Sequence, residues 1–175
     1  MDLAQRPVTA TYGYFATEKM AVIEVAAASG IQFVTTTLTP LATNTYGTGL
    51  LIKDAIERGA RQIILGLGGS GTVDGGAGIL RALGYRFWAA DGQELAMTGA
   101  DLSRVTKIDD RHVLPQLAEV SFISAADVTN PLTGPNGAAK IFGPQKGLPV
   151  AQIQVHDAAL AHYMTGAAGA VSAHE

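Results

Sequence analysis

The chain has 175 residues, 47% of them hydrophobic, enough to bury the core of one ordinary domain and too few for two full ones. A net charge of −3 with 15% charged residues gives no basic footprint for nucleic acid and no polybasic stretch for an anionic membrane, which favours small-molecule chemistry. The absence of cysteine excludes disulfides, thiolate catalysis and cysteine-held metals, and with no leader-like start or 18-residue apolar run the expectation is a soluble, cytoplasmic protein.

In chain order, VTATYGY at 8–14 and MAVIEV at 20–25 read as two strands of a hairpin around a polar turn. AAASG at 26–30 reads as a short helix ended by glycine, and 35–47 reads as a loop. From Thr48, Leu51, Ile52, Ala55 and Ile56 share one helical face opposite Lys53, Asp54, Glu57 and Arg58, and Gly59 stops the helix. RQIILGL at 61–67 is a short apolar run suited to a strand covered on both faces.

That strand delivers IILGLGGSGTVDGGAG at 63–78, where seven glycines are threaded with Ser70, Thr72 and Asp74. Glycine is costly to order, so such density implies a backbone that turns through positive φ or approaches a ligand closely. Successive amides in such a loop make an anion-binding concavity, and a helix beginning just after it would add its positive dipole end. The bland alternative is a strand-to-helix turn that binds nothing.

After the loop, AGILRALG at 77–84 reads as a helix and YRFWAA at 85–90 as a strand, giving an α/β unit, with Trp88 expected in the core and Asp91-Gly92 as a turn. TGADLSRV reads as the start of a threonine-capped helix, VTKIDD as a strand, and EVSFISAAD at 119–127 as the last strand, ending on Asp127. A segment rich in proline and glycine follows at 128–147, then a helix from Pro149 to about Met164.

GLGGSG at 66–71 matches G-x-G-x-x-G, and Asp91 lies twenty residues beyond it, so an NAD-type dinucleotide site is one reading. Against it, TVDGG inserts a carboxylate and two more glycines before the helix, and Asp91 suits a solvated turn. The motif G-x-x-x-x-G-K-[ST] is absent. Asp74 and Asp127 are the candidate catalytic carboxylates, able to take a proton from a hydroxyl or hold a magnesium ion, because each follows a strand and sites in α/β sheets gather at strand carboxyl ends. An Asx-turn role ahead of Asn130-Pro131 stays open for Asp127, and a plain surface position for Lys146 beside its possible phosphate contact. His112, His156, His162 and His174 show no metal spacing and read as solvated or packed.

The strings GLGGSGTVDGGAGILRALGYRF, ADGQEL, DVTNPLTGPNGAA and FGPQKG, in this order, resemble the bacterial glycerate kinase family, as do AVIEVAAASG at 21–30 and YGTG at 46–49. The resemblance implies transfer of the ATP γ-phosphoryl group to a hydroxyl of D-glycerate with Mg²⁺, giving phosphoglycerate, in a cleft between two α/β domains of which this chain resembles mainly the inserted one. It implies a single α/β domain of three-layer type, with a mixed, mostly buried sheet, over residues 1–165, and a tail at 166–175. It also implies that Gly68, Gly69, Ser70, Thr72, Asn130 and Lys146 contact substrate or phosphate, and that Asp127 is the candidate base. Gly71 stands where the family usually has alanine, and Ala125-Ala126 where a cysteine commonly precedes the aspartate. The family's APDSFKGS-like, ADGGEGT-like and TGEGR-like motifs are missing, so the chain is expected to be a fragment or split product, weakly active or inactive alone and completed by another chain. Binding of a small anion or nucleotide without turnover is the alternative.

Overall fold

The structure, a computed structural model, describes residues 1–172. In chain order the first half holds β1 (Gly13–Phe15), β2 (Met20–Glu24), α1 (Ala26–Ser29), α2 (Tyr46–Glu57), β3 (Gln62–Gly66) and α3 (Ala77–Ala82). The second half holds β4 (Arg86–Trp88), β5 (Lys107–Asp109), β6 (Ser121–Ala125), α4 (Ala138–Phe142) and α5 (Val150–Ser172). The boundary expected at 165/166 falls inside α5, and residues 173–175 lie outside the described residues.

The fold is mixed α/β, as expected. One sheet runs β1-β2-β3-β6, with the hairpin β1–β2 antiparallel and both β2–β3 and β3–β6 parallel. The α/β unit read from the sequence closes on a different strand. Its returning strand is β6, whereas β4 pairs antiparallel with β5 in a separate two-stranded sheet. TGADLSRV forms only a 3-10 turn at Leu102–Arg104, because Asp101 folds back to accept hydrogen bonds from the Thr98 amide and hydroxyl.

Helix α2 begins two residues before the expected Thr48 and lays Ile52, Ala55 and Ile56 on Ala21, Ile23 and Ile63 of the sheet, all essentially fully buried. Each isoleucine buried this way contributes roughly 1.5–3 kcal/mol, whereas the Asp54–Arg58 ion pair on the other face is exposed and screened by water, so packing holds the helix. Helix α3 crosses α2 at glycine: a Cβ on Gly49 would lie 2.5 Å from Ala82 Cβ and 2.9 Å from Ile79 Cα. A second core packs Phe87, Leu95, Met97 and Leu102 against Leu160 and Tyr163 of α5. Phe87, rather than the expected Trp88, is the core aromatic of β4; Trp88 is half-buried.

Strand β3, expected to be covered on both faces, is buried only at Ile63 and half-buried elsewhere. Register explains it. Ala21, Ile23 and Ile63 point toward α2, while Val22, Ile64 and Ile123 form one row across the opposite face, and no strand residue of β6 is buried.

Candidate functional site

Because β3 and β6 are parallel, the segments leaving them emerge side by side, joined by a 3.1 Å hydrogen bond from the Leu67 amide to the Ala125 carbonyl. Past this point β3 continues into the glycine loop and β6 into Asp127. The loop is tied along one side, where the Ile31 amide donates to the Gly69 carbonyl and the Gly71 amide to the Ser29 carbonyl, each at 2.8 Å. That pairing leaves the amides of Gly68, Gly69 and Ser70 without a partner among the described residues. Gly69 sits at φ 70, in the left-handed region that a side chain disfavours, and a Cβ on Gly68 would meet nothing within 4 Å. Three successive free amides of this kind form a positive concavity.

Lys146, in the 3-10 turn after α4, closes one wall. Its Nζ donates to Ser70 Oγ and to the Thr72 carbonyl, both at 2.8 Å, leaving one of its three protons free. Burial pulls its pKa below the usual lysine value, and the charge of Asp74 partly opposes this. Gly68, Gly69, Ser70, Lys146 and Asp127 thus line one open cavity of about 440 Å³, together with Leu67, Phe142 and Gln145. The structure brings these five expected residues together. Asn130 does not join them; it is exposed, and its Nδ2 donates to the Asn136 carbonyl.

Thr72 and Asp74 line a second cavity of about 300 Å³, which shares Leu67, Ser70, Phe142 and Lys146 with the first. Asp74 is 1% exposed. Its Oδ2 accepts from the Thr45 amide and hydroxyl at 2.7 Å and the Gly78 amide at 3.0 Å, and its Oδ1 accepts from the Gly76 amide at 3.3 Å. Thr45 Oγ1 in turn accepts from the Ile79 amide. Burial pushes the Asp74 carboxyl above the usual carboxylate value, against the pull of those donors. The positive end of α3, which the sequence suggested would face a ligand, is occupied by the protein's own carboxylate, and Asp74 acts as a brace between the starts of α2 and α3.

His156, read from the sequence as solvated or packed, is packed. It lines the second cavity at 3% exposure, its pKa lowered by burial, with a hydrogen bond to the Val73 backbone and no partner for Nε2 among the described residues. Its spacing from Ile153, Leu160 and Tyr163 put it on the inward stripe of α5, which was the available signal. His162 instead bonds the Val105 carbonyl through Nε2. Among the described residues no group of three or more His, Asp or Glu could hold a metal. Asp91 lines neither cavity and accepts from the Gln93 amide in a glycine turn, the solvated role that weighs against a dinucleotide site. No helix among the described residues is long and apolar enough to cross a membrane.

Comparison with known proteins converges on one family. The model of the glycerate kinase family matches residues 1–174. The chain is 46% identical over 157 residues to the glycerate 2-kinase of Escherichia coli and 45% identical over 157 residues to the glycerate kinase of Halalkalibacterium halodurans, in each case covering 89% of this chain and 41% of the relative. A crystal structure described as a glycerate kinase 2 from Salmonella typhimurium superposes with a TM-score of 0.90 at 42% identity, over 94% of this chain and 44% of that one. The chain therefore spans about two fifths of the length of these relatives. With the glycine loop, the segment after β6 that bears Asp127 and the Lys146 turn all inside the matched region, the chain belongs to the glycerate kinase family.

Proposed function

We propose that this chain carries the anion-binding wall of a glycerate kinase, which transfers the γ-phosphoryl group of ATP to a hydroxyl of D-glycerate and gives phosphoglycerate. The observation that carries the reading is the row of free amides at Gly68, Gly69 and Ser70 beside Lys146 Nζ and the exposed carboxylate of Asp127. Phosphoryl transfer asks a protein mainly to position groups and neutralise charge, which amides and one ammonium supply.

In this reading the loop amides and the remaining Lys146 proton hold an anionic group of the substrates, and Asp74 keeps the loop in shape without touching them. Asp127 takes the proton of the attacking hydroxyl as its oxygen bonds to the γ-phosphorus and the bond from that phosphorus to the bridging oxygen breaks, releasing ADP. A magnesium ion would neutralise charge on the phosphates, and Asp127 is the carboxylate that lines this cavity.

Because the relatives are more than twice as long, a second reading is kept: this chain alone binds nucleotide or glycerate without turning them over. Calorimetry with ATP–Mg²⁺ plus D-glycerate, against NAD, tests both. Binding of the kinase substrates and none of NAD is expected; tight NAD binding, or no binding of either kinase substrate, ends the proposal.

A further inference from the structure

Three buried side-chain polar atoms lack a hydrogen-bond partner among the described residues: Arg81 Nε, Trp88 Nε1 and His156 Nε2. Arg81 and Trp88 line neither the first nor the second cavity, whereas His156 lines the second, together with Thr72, Asp74 and Lys146. A buried polar atom left unpaired is costly and rare in a folded protein, so one carried by the wall of a cavity marks a place where a guest can supply the missing bond.

The bond between His156 and the Val73 backbone favours the protonated ring, so the ring donates it, and with Nε2 unpaired the donor is Nδ1. Nδ1 therefore keeps the proton of the neutral imidazole, and Nε2 carries the lone pair and needs a donor. Neighbouring protons are committed elsewhere: Thr45 Oγ1 donates to Asp74, and Lys146 Nζ donates to Ser70 Oγ and the Thr72 carbonyl. The rest of the cavity fixes the character of the guest. Its volume is about 300 Å³, and Val25, Val73, Ile79, Leu132, Phe142 and Leu160 make much of its wall apolar. Lys146, the one lysine or arginine among the described residues that line it, has one free proton, and the buried carboxylate of Asp74 opposes a second negative charge. A phosphate is better served by the free amides of the first cavity, and the second suits a compact acid with a single charge.

We infer that the second cavity seats a small hydroxylated monocarboxylate, its carboxylate on the free proton of Lys146 and a hydroxyl donating to His156 Nε2. His156 then selects hydroxy acids over their deoxy counterparts, because an acid without the hydroxyl leaves Nε2 unpaired. It holds the acid and takes no part in bond making. The choice of D-glycerate as the acid rests on the proposed function; the selectivity rests on the cavity itself.

Calorimetry on the chain compares D-glycerate with propanoate, acids of equal carbon count with and without hydroxyls. The wild type should bind D-glycerate about tenfold more tightly, the worth of one neutral hydrogen bond. His156→Leu keeps the apolar bulk and removes the acceptor, so it should erase this preference by weakening D-glycerate alone. His156→Gln presents a carbonyl oxygen in place of Nε2 and should restore part of it. The ring ¹⁵N signal of Nε2 in the wild type should move on adding D-glycerate and stay in place with propanoate, a response that packing alone does not give and that needs no variant to fold. No binding of D-glycerate, equal affinity for the two acids, an undiminished preference in His156→Leu, or an Nε2 signal that ignores D-glycerate would each overturn the assignment. Binding of ATP–Mg²⁺ is measured on the same samples: if it persists beside any of these results, the seat for the acid falls and the nucleotide side of the proposed function stands, whereas loss of both ligands ends the proposed function as well.

Discussion

Lys146 Nζ lies 2.8 Å from Ser70 Oγ although the residues are 76 positions apart, and the same ammonium reaches the Thr72 carbonyl. One cation thus spans the glycine loop while keeping a proton for whatever enters the cavity. Replacement by methionine keeps the apolar stem and removes the charge. Lys146→Met should weaken binding of inorganic phosphate or ATP–Mg²⁺ by about tenfold to a hundredfold, the worth of one charge-assisted hydrogen bond. Calorimetry reads this directly, and unchanged affinity would remove Lys146 from the site.

Asp127 is exposed at the end of β6, so its removal should cost the fold little, within about 0.5 kcal/mol. In an enzyme complete enough to turn over, Asp127→Asn should lower kcat by about 10²- to 10⁴-fold, the usual contribution of a general base, with KM nearly unchanged. A variant with wild-type kcat would assign the base elsewhere.

Asp74 is the opposite case, buried and saturated with donors. Asp74→Ala strands the amides of Thr45, Gly76 and Gly78 and should destabilise by roughly 3 kcal/mol or more in urea titration. Asp74→Asn can keep one oxygen for the Thr45 and Gly78 donors but turns an NH₂ toward the Gly76 amide, so its loss should be about half as large. Equal loss in the two variants would contradict the brace.

His156 should make stability pH-dependent. Burial lowers its folded pKa below the ordinary 6.5, so the unfolded chain takes up its proton first, and stability falls as pH drops below about 6.5. The groups facing it are Asp157, Asp74, Lys146 and the Val73 backbone; the two carboxylates favour the protonated ring and the ammonium opposes it. His156→Asn stays neutral and can still donate to Val73. The wild type should therefore lose more melting temperature than the variant between pH 7 and pH 5, and parallel curves would refute the assignment.

Local patterns were legible in the sequence where local physics decides them. The β2 strand, the α2 stripe, the Ile-rich β3 and the glycine loop all follow from periodicity and turn chemistry, and the structure has each within a residue or two, whereas β1, read at 8–14, forms only at Gly13–Phe15. What required distant partners was hidden. A carboxylate inside a glycine loop looks chemical, and only the return of Thr45 from 29 positions earlier makes Asp74 a brace. Likewise, a two-residue alternation in YRFWAA says strand without saying which sheet, and β4 joins β5 instead of β3. Lys146 stands out in the sequence only by its glycine neighbours, while its meeting with Ser70 is a property of the folded chain alone.

The Asp74–Thr45 brace also bears on how tightly the loop can grip. Both helix starts are fastened to it by the protein's own groups, and the bonds of Ile31 to Gly69 and of Gly71 to Ser29 fix the other end of the loop, so the free amides sit on a segment anchored on both sides. An incoming anion then has little chain to immobilise, and its contacts go almost wholly into affinity, the hallmark of a preorganised receptor.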